Sequence, residues 1–375
     1  MKKFVITALA ALLVGACVYP YNPELEEKDL QKQLVVDGKI LLGGTSTITV
    51  SYLQPLNGAS STGIPLAEAW IEDDQGNKYH PDTGHARGSY FVIETPEGPA
   101  GAQYRAVIKC DAETYVSAWL TPDSAPEITD IRFTADEGYV HVMVDLDTHM
   151  DRPGNYGFMY EEAWEFHSDF YPELFINPET WEYYQPMGGY PFYWCYKTLS
   201  SQGLVLLGAE SLQADGGIIR NAPVKTFPRT DSRNHRKYSI LVKAFALSRE
   251  AYDFNRQLEE MSEVGGDLFT PDPGALPSNV VCESNPEKKA MGMVLSGIVS
   301  TKRVFFTSTY YIQRTPVADF VDVPSEKYDY YYNELNYRPI QKVAGEMGYF
   351  NGWGPHRCIN CVEAGGTLEK PDFWE

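Results

Sequence analysis

From Leu34 onward the chain is written in short apolar runs that alternate or are β-branched, a pattern with the period of strands rather than helices. LVVDGKI (34–40), STITVSYL (46–53), AEAWIEDDQG (67–76), GSYFVIET (88–95) and QYRAVIKCD (103–111) succeed one another with Gly, Asn and Pro turns between them. Val, Ile, Thr, Tyr and Phe fill a pleated, half-buried surface well. Strands this short and closely spaced point to a sandwich. A proline-bearing linker, TPDSAP (121–126), separates this block from EITDIRFTA (127–135), GYVHVMVDLD (138–147) and NYGFMYEEAWEF (155–166). The expected fold class is therefore mostly β, with one sandwich over 34–122 and a larger β-rich domain over 127–375.

One segment reads as a helix, near 248–263. Ser248 is its N-cap, Glu250 sits in the first turn, and Ala251, Phe254, Leu258 and Met261 fall on one face. Gly265 and Gly266 would stop it. Strands are expected on either side, at 238–246 and 292–307. Residues 167–192 are rich in Tyr, Trp, Pro and Gly and have no period, so they read as a long excursion from the second domain. The strand, turn and G-x-Y pattern of the first block resembles transthyretin-like and carboxypeptidase-regulatory sandwiches. The second block is similar to a fibronectin-type sandwich.

The first residues carry a different message. Lys2 and Lys3 precede an apolar run over 4–14, and Leu13-Val14-Gly15-Ala16 leads directly into Cys17. That is a signal peptide over 1–16 ending in a bacterial lipobox, which implies diacylglycerol on Cys17. Acyl chains on one residue give stable anchoring, at about 0.8 kcal/mol per buried methylene. Residues 17–33 are polar, acidic and proline-bearing and read as a lipidated tether. No later apolar run is long enough to span a bilayer. The expected location is the outer membrane, lipid-anchored. Glu24, Glu26, Glu27 and Asp29 stand too far from Cys17 to act as a strong export address, so either face stays open.

Charge narrows the partners. Basic residues number 31 against 51 acidic ones, a net of −20, and loss of the leader's lysines makes the rest more negative. Such a chain repels nucleic acid and anionic headgroups.

Catalytic motifs are scarce. There is no G-x-S-x-G elbow and no H-E-x-x-H. Asp145, Asp147, His149 and Asp151 superficially resemble a calcium loop, but Met150 holds the position that needs glycine. Glu161, Glu162 and Glu165 would be the carboxylates of a glycosidase, a weak signal in so acidic a chain. The reading is no enzyme, no metal and no cofactor. Cys195, Cys282, Cys358 and Cys361 are the disulfide candidates. Cys358-Ile359-Asn360-Cys361 is a C-x-x-C outside any βαβ context, which favours a structural disulfide in an exported protein. Four cysteines allow three connectivities, and none is selected by spacing.

Aromatic residues mark the candidate binding surface. Trp181, Tyr183, Tyr184, Tyr190, Tyr193 and Trp194 crowd one loop, and Tyr328, Tyr330, Tyr331 and Tyr332 lead toward Tyr337 in another. A tyrosine run in a strand would show alternate faces, leaving some rings exposed for recognition. Packing of one loop on the other is the equal alternative.

The C-terminal half carries a family resemblance. ALSREAYDF (246–254), LFTPDP (268–273), SNVVCESNP (278–286), KRVFF (302–306), CINC (358–361), GGT (365–367) and KPDFW (370–374) together resemble a Bacteroidota outer-membrane lipoprotein family labelled as a domain of unknown function. Its members are typically encoded beside SusC-like TonB-dependent receptors. The resemblance implies a non-catalytic accessory or ligand-binding module of such an uptake system. The partners would be a SusC-like receptor, the membrane, and a small-molecule, glycan or peptide ligand. It brings no catalytic residues, and its usual cysteines match Cys195, Cys282, Cys358 and Cys361, with Cys110 as the extra one. The alternatives are a surface hydrolase or a structural envelope protein. If the anchor reading is right, Cys17→Ala moves the protein from the membrane pellet to the soluble fraction in a cell fractionation.

Overall fold

A computed structural model describes residues 33–53, 65–82, 88–99, 101–149, 154–185, 188–208, 217–264, 276–310, 319–345 and 348–374. Cys17, the leader and all of the tether except residue 33 lie outside the described residues, as do Asp151, Gly265 and Gly266.

Seven strands come first: β1 (Leu34–Leu42), β2 (Gly44–Tyr52), β3 (Glu68–Asp73), β4 (Lys78–Tyr79), β5 (Tyr90–Thr95), β6 (Tyr104–Cys110) and β7 (Glu113–Ser117). Nine more precede the helix: β8 (Glu127–Ala135), β9 (Tyr139–Asp147), β10 (Asn155–His167), β11 (Phe175–Ile176), β12 (Tyr183–Tyr184), β13 (Trp194–Ser200), β14 (Val205–Leu207), β15 (Ile218–Pro228) and β16 (Lys237–Leu247). After α1 (Arg249–Val264) come β17 (Val280–Cys282), β18 (Ala290–Ile298), β19 (Ser300–Thr307), β20 (Val321–Asp322), β21 (Tyr337–Gly345) and β22 (Gly348–Pro355).

The first sandwich faces a sheet of order β18-β1-β2-β5 against one of order β17-β7-β6-β3-β4. Alternation along each strand sends Val36, Ile48, Phe91, Ile71 and Ile108 into one core, all fully buried. Each such side chain contributes roughly 1.5–3 kcal/mol. This sandwich does not end near residue 122. Its outer strands β17 and β18 arrive from residues 280–298, and Val280, Ala290 and Val294 complete the core. β18 runs parallel to β1, with Leu34 opposite Ala290 through Leu42 opposite Ile298. Parallel neighbours need a crossover, and here the crossover contains every strand of the second sandwich except β19.

That second sandwich packs β15-β9-β8 against β13-β10-β16-β19, with β14 also on β10. Tyr156, Phe158, Trp164 and Phe166 of β10 point inward with Val142, Val144, Tyr238 and Ile240. Glu162 shares that inward face and is 1% exposed. Arg233 grips it with Nε and Nη2 at 2.8 and 3.2 Å, and the Tyr238 hydroxyl donates at 2.8 Å. Arg233 is itself held by Asp231 at 3.0 Å and lies 4.5 Å from the Trp164 ring. A buried carboxylate is tolerable only with this completeness of partners.

Residues 292–307, expected as one strand region, serve both sandwiches. β18 joins β1, Val299 donates its N–H to the Leu42 carbonyl at 3.2 Å, and β19 then joins β16. Between the sandwiches lies a small core of Leu41, Leu295, Phe245 and Leu247, closed by Ala251 of α1. Ser248 caps α1 as expected, its Oγ accepting the Ala251 N–H at 3.1 Å. Ala251 and Phe254 dock, whereas Leu258 is exposed, so only the first turns of the predicted face find a partner.

A third unit gathers the 167–192 excursion and the C-terminal strands. The β11-β12 hairpin lies beside a β20-β22-β21 sheet around fully buried Trp353, with Ile176 and Val323. The tyrosine run is not a strand. Residues Tyr330–Glu334 wind into a wide turn in which the Leu335 N–H reaches the Tyr330 carbonyl at 3.2 Å. The bonded groups lie five positions apart in sequence, so the rings fan around a turn instead of alternating across a sheet.

Gly292 adopts φ +109° opposite Val36, and a β-carbon there would land on the Val36 carbonyl oxygen. Only glycine accepts that conformation so close to a neighbouring backbone. Gly292→Ala is expected to cost about 1–3 kcal/mol, read as a lower midpoint in urea; an unchanged midpoint would mean that the β1–β18 pairing is not under this constraint.

Candidate functional site

The two aromatic loops meet, and they divide into inward and outward rings. Tyr328 stacks on Trp353 at 5.2 Å. The Tyr183 hydroxyl donates to the Tyr328 oxygen at 3.0 Å, and Trp353 Nε1–H donates to the Tyr183 oxygen at 3.0 Å. Burial, then the bond from Tyr183, raises the Tyr328 phenol above its ordinary value. Trp181 lies 6.0 Å from Tyr328 and 5.8 Å from Tyr332. Tyr331 packs edge-on against Tyr337. Trp181, Tyr183, Tyr328, Tyr331 and Tyr332 therefore pack on one another and on Trp353 or Tyr337, from a wide turn instead of an edge strand.

Other rings line its outside. Tyr184 is 51% exposed, Tyr330 53%, Tyr171 46%, Phe192 37% and Trp194 37%. Four of them are joined through shared neighbours: Phe175 touches Tyr184 and Tyr190, Tyr190 touches Phe192, and Tyr193 touches Tyr171 and Trp194, whereas Tyr330 touches Tyr331 of the second loop. Half-buried Tyr190 is pushed up to about 12 by burial and the nearby Glu363. Arg236 lies 5.2 Å from the Trp194 ring and pairs with Glu165 at 2.6 Å. Tyr171 and Phe192 escaped the sequence reading as surface candidates. Their only signal was membership of the aperiodic excursion.

The lobe is tied to the second sandwich by the C-terminal segment. Cys195 of β13 forms a disulfide with Cys361 across 166 residues. Tyr196 and Thr367 exchange backbone bonds of 2.8 Å beside it, and Cys361 donates its N–H to the Phe192 carbonyl at 2.9 Å. A side chain on Gly366 would strike Cys195 and Phe166, which is why the chain narrows there. Further on, Phe373 lies under Arg303 at 3.6 Å and Trp374 packs on Tyr196 and Phe305. The other two disulfide candidates carry no disulfide. Cys282 is buried in the first sandwich, where β17 faces β7, away from the C-terminal segment. Cys358 is half-buried at the end of a short 3-10 turn, and burial raises its thiol. Cys110 is buried beside the Tyr52 hydroxyl at 3.7 Å.

Behind the exposed row sits a histidine stack. His167 lies 4.1 Å from His235 and 5.1 Å from Tyr193. Its Nδ1–H donates to the Ser168 carbonyl at 2.7 Å, and its backbone N–H donates to His235 Nδ1 at 3.3 Å.

The carboxylates considered for catalysis do not converge. Asp145 is buried and taken by Arg132 and the Asn221 N–H, and His149 bonds back to Asp147. Glu161 faces outward to Lys243 at 2.6 Å while Glu162 faces inward to Arg233. Neighbouring strand residues point to opposite faces, so the two carboxyls cannot flank one substrate bond. Among the described residues no group of three or more His, Cys, Asp or Glu could hold a metal ion. No helix among them is long and apolar enough to cross a membrane.

A family model described as "Domain of unknown function (DUF4249)" matches residues 18–303, and the chain belongs to that family. The match covers both sandwiches and ends within β19. No curated protein matches the chain.

His235 titrates at about 4 in the folded chain, because burial and then the His167 ring disfavour the imidazolium, against 6.5 for the ordinary group. Between those values the unfolded chain takes up a proton that the folded chain refuses. Stability present above about pH 6.5 is therefore lost as pH falls toward 4. His356 is lowered by burial too and acts in the same direction. Thermal melts of His235→Gln should show a flatter fall in Tm between about pH 6.5 and 5 than the wild type; parallel curves would exclude His235 as the source.

Proposed function

We propose that this DUF4249 member is a non-catalytic, lipid-anchored accessory protein of a TonB-dependent nutrient-uptake system at the outer membrane. The observation that carries this reading is the set of exposed rings, Tyr171, Tyr184, Phe192, Trp194 and Tyr330, on a lobe tied to β13 by the Cys195–Cys361 disulfide. Exposed Tyr, Trp and Phe are enriched at recognition surfaces because they offer large contact area with few rotatable bonds. Their inward counterparts are already committed to Trp353, so the outer rings are displayed on a packed support. Lipid on Cys17 would confine that surface to the membrane plane and raise its effective concentration beside a SusC-like receptor. A small-molecule, glycan or peptide ligand would reach the same rings.

Crosslinking in native membranes tests the reading. A TonB-dependent receptor should be recovered with the wild-type chain and lost with a Tyr184→Ala, Trp194→Ala, Tyr330→Ala variant. Recovery of the chain with no receptor attached, or equal recovery with the variant, would sink it.

A further inference from the structure

We infer that the aromatic lobe is built to receive a basic polypeptide segment, with arginine or lysine side chains laid over its rings and between its carboxylates. The inference rests on the reading of the lobe as a recognition surface and names the chemistry of what it recognises.

Charge is segregated around the rings. Residues 168–196 contain Asp169, Glu173, Glu179 and Glu182 and no lysine or arginine. Residues 319–336 contain five more carboxylates and a single cation, Lys327. Glu179, Glu182, Asp322, Glu326, Asp329 and Glu334 are all exposed. Among the described residues none of these six lies within 4.0 Å of a cationic nitrogen. On the neighbouring strand β10 of the second sandwich three acids are by contrast each paired: Glu161 with Lys243, Glu162 with Arg233 and Glu165 with Arg236. The lobe thus carries carboxylates without a cationic partner in the same two segments as exposed Tyr184 and Tyr330.

The two segments join through Trp181 and Tyr332. Within three residues of that contact along the chain stand Glu179, Glu182, Asp329, Tyr330 and Glu334. A cation approaching this seam meets the exposed Tyr330 ring with carboxylates nearby along both segments, and each favours it independently. The lobe already displays the mode with its own residues. Arg338 lies 3.5 Å from the Tyr332 ring while its Nη1 donates to the Tyr332 and Tyr337 carbonyls at 2.8 and 2.7 Å. Arg236 takes a looser version over Trp194. An acidic or purely apolar occupant would leave the carboxylates uncompensated, which is why charge complementarity selects a basic one.

The test uses the folded chain and an Arg-Gly repeat peptide, with the same peptide carrying citrulline for arginine as its neutral counterpart. Calorimetry should show binding of the arginine peptide, weakening as salt rises, and none of the citrulline peptide. Neutralising the seam with Glu179→Gln, Glu182→Gln, Asp329→Asn and Glu334→Gln should weaken binding about tenfold, the scale of a few exposed ion pairs. Tyr330→Ala, which removes a ring and no charge, should weaken it as well. Neutralising four distant exposed acids, Glu127, Glu250, Glu259 and Glu287, should change it little, which separates a site from the pull of net charge. Equal weakening by the two charge sets, or equal binding of the citrulline peptide, overturns the inference. A receptor captured in membranes by the wild type and equally by the charge-neutralised seam also overturns it, while leaving the broader function standing.

Discussion

Everything in this molecule hangs on the parallel pairing of β1 with β18. The first strand of the fold finds its neighbour about 250 residues further along the chain, from Leu34 opposite Ala290 to Leu42 opposite Ile298. Until that pair forms, the first sandwich lacks an edge of one sheet, and β17, only a few residues upstream, is not placed on β7. Loop-closure entropy for so long a connection must be met before any of its contacts help. The strands of the second sandwich that lie within the crossover shorten the effective distance, and the pairing of β19 with β16 holds β18 beside β1.

The lobe follows a different logic. Its buried tryptophan organises the inward rings, and the disulfide and the C-terminal strap fix the unit on β13. Because burial is satisfied on one side, the opposite rings can stay exposed without loosening the unit. Stability and display are thus assigned to different aromatic residues of the same two loops. Tyr183 and Tyr184 are adjacent in sequence, yet one bonds to Tyr328 and the other faces solvent.

Much of the fold was legible from period alone. The alternation in 34–40, 46–53 and 88–95 specifies strands with one buried face, and Ser248 with its following apolar spacing specifies the helix start. What period does not encode is which sheet a strand joins. Residues 292–307 are uniformly strand-like, and the switch from one sandwich to the other at Val299 leaves no local mark. The tyrosine run misled for a related reason, since rings favour strands on average but here a wide turn lets them fan around Trp353. Aromatic candidates were found by density, yet inward and outward rings could not be separated without knowing the second loop. Cysteine pairing depended on the same long-range knowledge, because Cys282 belongs to the other sandwich.

The run from β18 into β19 also sets how the molecule would bear mechanical load. The chain enters the fold at β1 and continues from β19 toward the lobe. A pull between residue 33 and the lobe therefore draws the start of β1 one way and the end of β18 the other. Since the two strands are parallel, that tension acts along their length and is shared by all of their rungs at once, instead of opening them one after another. Beyond Val299 the same tension passes to β19, whose antiparallel neighbour β16 lies at the centre of the second sandwich. The pairing that delays assembly is thus the one oriented to resist being peeled apart.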